Sequence, residues 1–357
     1  MARSRIPSID LGPWLSGDAE ERERTARQVD EALRTAGFLL ITGHGVDPAL
    51  RTGIREAARA FFRLPEAAKR PYAVKVGGRG WLGPGAEANA YADTAADTSS
   101  GSDSGSNSGL GSNSGLGSNS GLNSGTGSDR VKSPPDLKES LSFAAEEPTG
   151  DAEIDAEWFL PNTWPLEAPE LRPLVEAYLA RMRTLSDTVL ELLARALGLP
   201  AEYFTRHTGH PTWGFNINWY PGRDVVGEPE PGQFRIGPHT DFGTVTLLDR
   251  QHGKGGLQVF TDEGGWEDAP YDPAAFTVNI GDLMARWTGD RWRSGRHRVL
   301  PPPADAPAEE LMSLVYFYEC DPRTHVESLP APVGRIAYEP VDSHTYLRAK
   351  LDAISAD

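Results

Sequence analysis

The chain has 357 residues, enough for one large domain or two ordinary ones, and its 38% hydrophobic content argues against a disordered protein. With 51 acidic and 35 basic residues its formal net charge is −16, which disfavours nucleic acid and anionic membranes as partners and favours a small molecule. The single cysteine, Cys320, excludes an internal disulfide and a thiolate zinc cluster. Because the first residues lack the apolar core of a secretion signal and no stretch approaches the length of a membrane span, we expect a cytoplasmic protein. The composition does not define an oligomeric state.

The amino-terminal part predicts two helices around a strand. Residues 18–37 carry apolar side chains at helical spacing and end in a glycine that suits a C-terminal cap. The apolar run 38–44 that follows predicts a buried strand, and 47–65 predict a second helix that Pro65 stops. His44 lies in a Gly-His-Gly turn between them, where we expect a structural role.

A low-complexity insert interrupts the chain. In residues 94–129 a Gly-Ser-Asn-Ser-Gly-Leu unit recurs, and such a composition has too little to bury to offset the entropy of ordering it. We therefore predict a disordered surface loop here. The chain is divided accordingly into 1–93, the insert 94–129 and 130–357, with both flanking parts belonging to one structural domain.

After the insert, one long helix precedes a β-rich region. Residues 169–199 carry the longest helical pattern of the chain, and its apolar stripe should form a spine. From about residue 213, short β-like runs alternate with Gly and Pro turns, which suits a sandwich or jelly roll. These runs are 213–220, 244–249, 256–261, 276–288, 297–302 and 311–318.

Candidate metal ligands lie two residues apart in the apolar run 234–248. On a strand, His239 and Asp241 would project to the same face, about 6 to 7 Å apart along the backbone. The alternative interpretation is an edge strand whose polar face carries both groups. His297, 58 residues after His239, is a third candidate that an antiparallel barrel could bring beside the other two.

Two imidazoles and one carboxylate, with the opposite positions left open, describe a non-heme Fe(II) oxygenase site. Tetrahedral zinc accepts the same ligand types and is the alternative metal. The remaining histidines fall in loops or outside the ordered pattern and are not expected to bind a metal: His207, His210, His252, His325 and His344.

Motifs along nearly the whole chain resemble one enzyme family, the iron(II)- and 2-oxoglutarate-dependent oxygenases that include isopenicillin N synthase and the plant aminocyclopropane-carboxylate oxidases. In order, they read "IPSIDL", "GFLLITGHGVD", "FFRLPEAAK", "DLKESLSF", "NWYPG", "PHTDFGTVTLL", "GGLQVF", "VNIGDLMARWTGDRW" and "HRV". One hexamer would be weak evidence, but a chance match of so many in the family's order is very improbable.

The resemblance implies an α+β fold with a distorted double-stranded β-helix (jelly-roll) core and flanking helices. It implies an oxygenase with Fe(II) on His239, Asp241 and His297, and with 2-oxoglutarate and O2 as cosubstrates. The expected reaction is hydroxylation, desaturation or ring formation on a small molecule, with succinate and CO2 released, in natural-product biosynthesis. The resemblance also favours iron over zinc.

The chain departs from the family's pattern at the cosubstrate site. Relatives hold the far carboxylate of the 2-oxo acid with an Arg-x-Ser motif; here Ser313 matches, but Leu311 occupies the place of the arginine. Three interpretations remain open: another arginine supplies the charge, the enzyme is an oxidase that uses O2 without 2-oxoglutarate, or the protein is an inactive metal or small-molecule binder. We favour the first because Asn218 and Tyr220 match positions that touch the cosubstrate in relatives.

Two further residues, together with Leu311, are candidate substrate contacts at this site. Arg235, four residues before His239, would share its inward face by strand alternation and could replace the missing charge; an exposed strand-end arginine is the alternative. Phe317 shares the face of Ser313 and should border the substrate, although it could equally fill the core. The loop 79–93 and the insert lie where relatives place substrate-covering segments, which makes a lid or a neutral insertion equally reasonable.

Replacing residues 94–129 with a short Gly/Ser linker should leave the melting temperature within a few degrees, because loop length changes the closure entropy only slowly. Thermal unfolding of the two proteins measures this. A large loss of stability would show that the segment packs against the fold.

Overall fold

The computed structural model describes residues 6–88 and 134–354. The insert 94–129, its proposed boundaries and the end of the loop 79–93 lie outside the described residues, so the division into parts and the lid stay predictions. The helices are α1 (Gly12–Ser16), α2 (Ala19–Thr35), α3 (Pro48–Phe62), α4 (Glu66–Lys69), α5 (Ala152–Trp158), α6 (Leu171–Ala196), α7 (Glu202–Thr205), α8 (Arg223–Val226), α9 (Asp282–Trp287) and α10 (Ser343–Ile354), with a 3-10 turn at Arg70–Tyr72.

The strands build two principal sheets. Eight strands pair in the order β1-β2-β10-β7-β12-β5-β4-β3, four pair in the order β6-β11-β8-β9, and β13 pairs with β14. Only β1 and β2 among these pairs are parallel. The strands are β1 (Ser8–Asp10), β2 (Phe38–Thr42), β3 (Trp81–Leu82), β4 (Glu139–Ala144), β5 (Trp213–Tyr220), β6 (Ile236–His239), β7 (Val245–Arg250), β8 (Leu257–Thr261), β9 (Gly265–Asp268), β10 (Phe276–Ile280), β11 (His297–Val299), β12 (Leu311–Tyr318), β13 (His325–Val326) and β14 (Val341–Asp342).

The two larger sheets form the predicted jelly-roll core. Apolar side chains from both sheets meet in one buried cluster that includes Phe38 and Tyr220 of the larger sheet and Ile236, Leu257 and Val299 of the smaller one. On the opposite face of the larger sheet lies the main hydrophobic core, to which the amino-terminal helices and α6 contribute. The arrangement leaves the space between the sheets for a ligand.

The predicted helices are confirmed. Helix α2 begins at a capping box, in which the Asp18 carboxylate accepts from the backbone N–H of Glu21 and the Glu21 carboxylate accepts from that of Asp18. Gly37 follows the end of α2 with φ of +72°, and a Cβ there would lie 2.4 Å from the carbonyl oxygen of Arg293. Glycine is thus required for both the turn and the close backbone approach.

One predicted β run was wrong in its second half. The run 276–288 forms a strand only as far as Ile280, and the chain then turns into helix α9. Leu283, Met284 and Trp287 are buried on one side of this helix, which is helical rather than strand spacing. The extended Gly281 separates the two elements.

A buried ion pair joins the amino-terminal helices to the central sheet. The Lys69 ammonium lies 2.6 Å from the Glu139 carboxylate on β4 and also donates to the Phe62 carbonyl oxygen. The indole N–H of Trp81 donates to the same carboxylate at 2.7 Å. The side chains of Lys69 and Glu139 are only 6% and 8% exposed, so neither charge can be resolvated by water if its partner is removed.

Glu139→Gln should therefore reduce the free energy of unfolding by about 3 kcal/mol, because it leaves the Lys69 charge buried without a counter-ion. Denaturant unfolding measures the loss. Glu66→Gln, which breaks the exposed pair of Glu66 with Arg70, is the control and should cost less than about 0.5 kcal/mol. Similar losses in the two variants would contradict the importance of burial here.

Candidate metal centre and its two cavities

Three side chains converge between the sheets. His239 ends β6 and His297 begins β11, and the antiparallel pairing of these strands sets the two histidines directly opposite each other. Asp241 lies just beyond β6, so the prediction that one strand carries both His239 and Asp241 was wrong, although their side chains do meet. The Nε2 atoms of both histidines lie 3.8 Å from Oδ1 of Asp241. Ligand atoms at this spacing could hold one metal ion.

Hydrogen bonds fix which nitrogen of each imidazole faces the centre. Nδ1 of His239 lies 2.8 Å from the Gly237 carbonyl oxygen, and Nδ1 of His297 lies 3.1 Å from that of Gly295. A carbonyl oxygen only accepts, so each Nδ1 carries a proton, and Nε2 is the nitrogen of each ring that lies toward Asp241 and could bind a metal. Burial, together with the neighbouring His297, lowers the pKa of His239 to about 3, which keeps its ring neutral at physiological pH.

Asp241 is held ready as an anionic ligand. Its Oδ2 accepts from the Thr246 hydroxyl and from the Asn279 amide, both at 2.7 Å, which leaves Oδ1 directed toward the histidines. Burial opposes ionisation, but the two imidazoles and these hydrogen bonds together hold the pKa of Asp241 below its usual value. Two imidazoles and one carboxylate are a donor set that fits a divalent ion such as Fe(II).

The sequence interpretation missed Thr246 and Asn279. Thr246 lies on β7, two residues before Leu248. Asn279, on the neighbouring strand β10, is the register partner of Thr246. Strand alternation within "TVTLLD" and "FTVNI" could have indicated their inward direction. Their meeting with Asp241 depends on the pairing of β7 and β10, which the local sequence does not specify.

A first cavity lies beside the metal residues and contains the predicted cosubstrate contacts. Asn218, Tyr220 and Ser313 all line it, and Leu311 lines it too. The Asn218 amide donates to the Tyr220 hydroxyl at 3.4 Å, and that hydroxyl also hydrogen-bonds with Ser313. Burial raises the pKa of Tyr220, so its phenol stays protonated and can donate to a ligand.

The structure does not place Arg235 at this cavity. Its guanidinium is fully buried and donates to Oε1 of Glu309 at 3.1 Å, to the Glu309 carbonyl oxygen and to the Gly255 carbonyl oxygen. Arg235 precedes the first residue of β6, so strand alternation does not govern its direction. The ion pair with Glu309 neutralises the charge of Arg235, so this charge is not available to a ligand.

Arg250, which the sequence interpretation did not consider, does line this cavity. It is the last residue of β7 and lies directly opposite Ser313 of β12. Thr246, Leu248 and Arg250 face the cavity in alternation along β7. This alternation was the signal available in the sequence.

A second cavity, of about 280 Å³, opens on the other side of the metal residues. His239, Asp241 and Phe317 border both cavities, so Phe317 lies where the sequence predicted a substrate contact. Glu319 projects into the second cavity, with its Oε2 accepting from the Thr244 backbone N–H at 2.6 Å. Burial, reinforced by the charge of Asp241, raises the pKa of Glu319 to about 8.

The wall of the second cavity is polar as well as aromatic. Trp158 and Trp213 supply ring surfaces, while the Ser142 and Thr212 hydroxyls and the Trp158 indole N–H are buried without hydrogen-bond partners. Buried polar groups normally find a partner, and a bound ligand is one source of such partners. The lining therefore suits a small molecule with several polar groups.

Family comparisons agree with this geometry. Residues 215–319, which contain the three converging side chains, match the 2OG-Fe(II) oxygenase superfamily, and residues 6–167 match the non-haem dioxygenase in morphine synthesis N-terminal family. Validamycin A dioxygenase of Streptomyces hygroscopicus subsp. limoneus is 42% identical over 330 residues, covering 92% of this chain and 80% of that protein. The chain belongs to the 2-oxoglutarate- and iron(II)-dependent oxygenases.

Other relatives support the same family. The 2-oxoglutarate-dependent dioxygenase tropC of Talaromyces stipitatus is 29% identical, covering 96% of this chain and 98% of that protein. A full-length Neurospora crassa protein crystallised in complex with alpha-KG and thymine superimposes with a TM-score of 0.75 at 25% identity, covering 98% of this chain and 96% of that one. The predicted enzyme class, with Fe(II), 2-oxoglutarate and O2, is confirmed by these matches.

Two smaller predictions concern the remaining histidines and the membrane. His44 keeps a structural role, since its Nε2 contacts the Ala274 carbonyl oxygen at 2.9 Å and its ring packs against Phe276.

Among the described residues, no helix has both the length and the apolar character needed to cross a bilayer.

Proposed function

We propose that His239, Asp241 and His297 bind Fe(II), and that the enzyme oxidises a small polar molecule that carries hydroxyl groups and a basic nitrogen. The observation that carries the proposal is the position of the three ligands, with His239 and Asp241 on the common border of both cavities. A cosubstrate in the first cavity and a substrate in the second would meet at the metal. A metal held by these three residues would present its remaining positions to the cavities that they line.

Bound iron and 2-oxoglutarate supply the oxidising chemistry: O2 is consumed, succinate and CO2 are released, and a substrate C–H bond is oxidised. The chain's own residues supply orientation. Gly237 and Gly295 fix the histidine rings through their carbonyl oxygens, and Thr246 and Asn279 fix the Asp241 carboxylate. These hydrogen bonds would hold the three side chains in an orientation suited to a metal ion.

The first cavity is suited to hold the 2-oxo acid. Asn218, Tyr220 and Ser313 present hydrogen-bonding groups on neighbouring strands, where register places Ser313 opposite Asn218. The apolar side chains of Leu248 and Val315 complete the wall and exclude water from the reacting atoms.

Glu319 supports the substrate class. None of the described residues forms an ion pair with this buried carboxyl, although it lies on the wall where substrate would approach the metal. With its pKa raised to about 8, the Glu319 carboxyl is largely protonated at neutral pH, and a substrate ammonium group would favour its ionised form and pair with it. Substrate hydroxyl groups could bond Ser142 and Thr212. The 42% identity to validamycin A dioxygenase makes a natural product of this polar kind the natural candidate.

We further propose that the enzyme works in the cytoplasm and without nucleic acid or membrane partners. The net charge of −16 disfavours anionic surfaces, and the thiol of the only cysteine, Cys320, is buried.

For the metal site, we expect the wild-type protein to bind one Fe(II), or one Co(II) as an air-stable substitute, with a rise in melting temperature. His239→Ala and Asp241→Ala should each weaken binding by at least about 100-fold and abolish this rise, because they remove a direct ligand. Anaerobic titration with calorimetry and thermal unfolding measures both effects. His325→Ala is the control, since His325 is exposed and pairs with Asp342 instead. Undiminished stoichiometric affinity in both ligand variants would remove these residues from the site.

For the substrate, succinate release should be stimulated by aminated polyols, with validamycin A included in the panel, and less by neutral polyols of the same size. Glu319→Gln should raise KM for the aminated compounds by roughly 10-fold, since a charge-assisted hydrogen bond is lost, while slow succinate release without substrate stays unchanged. Glu176→Gln, on the exposed side of α6, is the matched control. Equal stimulation by neutral and aminated compounds would exclude the basic nitrogen.

A further inference from the structure

We propose that Arg250 binds the distal carboxylate of 2-oxoglutarate, in place of the arginine that relatives carry where this chain has Leu311. This inference rests on the proposed use of the first cavity by 2-oxoglutarate. It places the cation that binds the cosubstrate's distal carboxylate on strand β7 instead of β12.

The backbone register carries the first part of the argument. Arg250 is paired with Ser313, the serine of the family's Arg-x-Ser motif, and Leu311 lies two residues further along the same strand. Arg250, Leu311 and Ser313 all line the first cavity. On adjacent antiparallel strands, same-face diagonal neighbours lie about 7 to 8 Å apart, which a long arginine side chain spans. A guanidinium from position 250 can therefore reach the carboxylate that an arginine at position 311 would hold.

The charge of Arg250 is free to bind a ligand. Its Nη2 donates to the carbonyl oxygens of Ala269 and Pro270, at 2.9 and 2.6 Å, and these are its only hydrogen bonds within the described chain. The Nε atom is buried without an acceptor, and no described carboxylate lies within ion-pair distance. The two carbonyl groups and the ring of Tyr271, 5.2 Å from the guanidinium carbon, orient the group without neutralising it.

Other cations near the cavities are either paired with a carboxylate or lie away from Ser313: Arg79, which donates to the carbonyl oxygens of Ala145 and Trp158, lines the second cavity and not the first. Arg235 is paired with Glu309. Lys138 is paired with Glu87, donates to the Ser140 hydroxyl at 3.2 Å and lines the second cavity rather than the first. Arg250, which is partly buried, is thus the cation on the first cavity wall, and a ligand carboxylate beside Ser313 would supply its counter-charge.

The surroundings of Leu311 fit this relocation. Leu311 is 7% exposed and packs in the apolar cluster between the sheets, with its methyl groups close to Gly253. Gln251, the residue after Arg250, also lines the first cavity, and its side-chain oxygen is buried without a donor. An amide in this position can turn its NH2 group toward a carboxylate and add a second donor beside the guanidinium.

The test compares two 2-oxo acids that share the metal-chelating end and differ in the distal carboxylate: 2-oxoglutarate and 2-oxopentanoate. Both are titrated anaerobically into the Fe(II)-loaded full-length protein, and binding is followed by the visible charge-transfer absorption of the chelated 2-oxo acid. Wild type should prefer 2-oxoglutarate by roughly 10- to 100-fold, as expected for a charge-assisted bidentate contact. Arg250→Leu should lose this preference and bind 2-oxopentanoate as wild type does.

Two further variants separate a carboxylate contact from a structural role. Lys254→Met removes a nearby exposed positive charge, paired with Asp305 at the surface, and should leave the preference unchanged. The double variant Arg250→Leu/Leu311→Arg returns the cation to the family's position and should regain the preference for 2-oxoglutarate. Leu311→Arg alone should weaken 2-oxoglutarate binding, because it adds a second cation beside Arg250.

Several results would overturn the assignment. A wild-type preference for 2-oxoglutarate that persists in Arg250→Leu would place the distal carboxylate on another residue. Equal loss of both acids in Arg250→Leu and in the double variant would indicate that Arg250 only supports the fold. If iron-loaded wild type gave no absorption with either acid, the use of 2-oxoglutarate itself would fail, which is distinguishable from failure of the Arg250 assignment alone.

Discussion

The antiparallel pairing of β6 with β11 is the constraint on which the centre of the molecule depends. This register sets His239 opposite His297, and the turn after β6 brings Asp241 to both. A shift of one residue would send one imidazole to the other face of the sheet, because side chains alternate along a strand. Of the three converging side chains, His239 and Asp241 lie on the common border of the two cavities, and His297 lines the first. The proposed cosubstrate and substrate sites would therefore depend on the same backbone contact.

The charged side chains of low exposure differ in whether a protein group of opposite charge neutralises them. Lys69 with Glu139 and Arg235 with Glu309 are neutralised internally and join distant segments. Arg250 and Glu319 lack such partners among the described residues, and each lines a different cavity. The unpaired Arg250 guanidinium is consistent with an anionic ligand in the first cavity. Burial raises the pKa of Glu319 to about 8, so this carboxyl would ionise only against a cationic group of a ligand in the second cavity.

Strand alternation explains why neighbouring charges on β7 do not neutralise each other. Asp249 points away from the cavity and accepts from Arg51 and Arg55 of helix α3, while the next residue, Arg250, points inward. Asp249 thus joins the sheet to helix α3 on one face, and Arg250 supplies a cation on the other face. If Arg250 binds the cosubstrate as proposed, the absence of an arginine at position 311 is compatible with an active enzyme, because the neighbouring strand carries a cation opposite Ser313.

The sequence by itself determined the enzyme family, the jelly-roll core, the principal helices and the three candidate metal ligands. These are encoded locally, in apolar periodicity, helix caps and short motifs such as "PHTDFG" and "HRV". Asn218, Tyr220 and Ser313 were found in the same way, and the structure brings them together at one cavity.

Only the tertiary structure decided which arginine is available to a cosubstrate. Alternation counted back from His239 suggested Arg235, but β6 begins after it, and Glu309, 74 residues away in sequence, captures its guanidinium. Thr246, Asn279 and Arg250 acquire their places through the pairing of β7 with β10 and β12. Strand register and ion pairing join residues far apart in the chain, and their free energies depend on the assembled sheets, so local sequence patterns do not specify them.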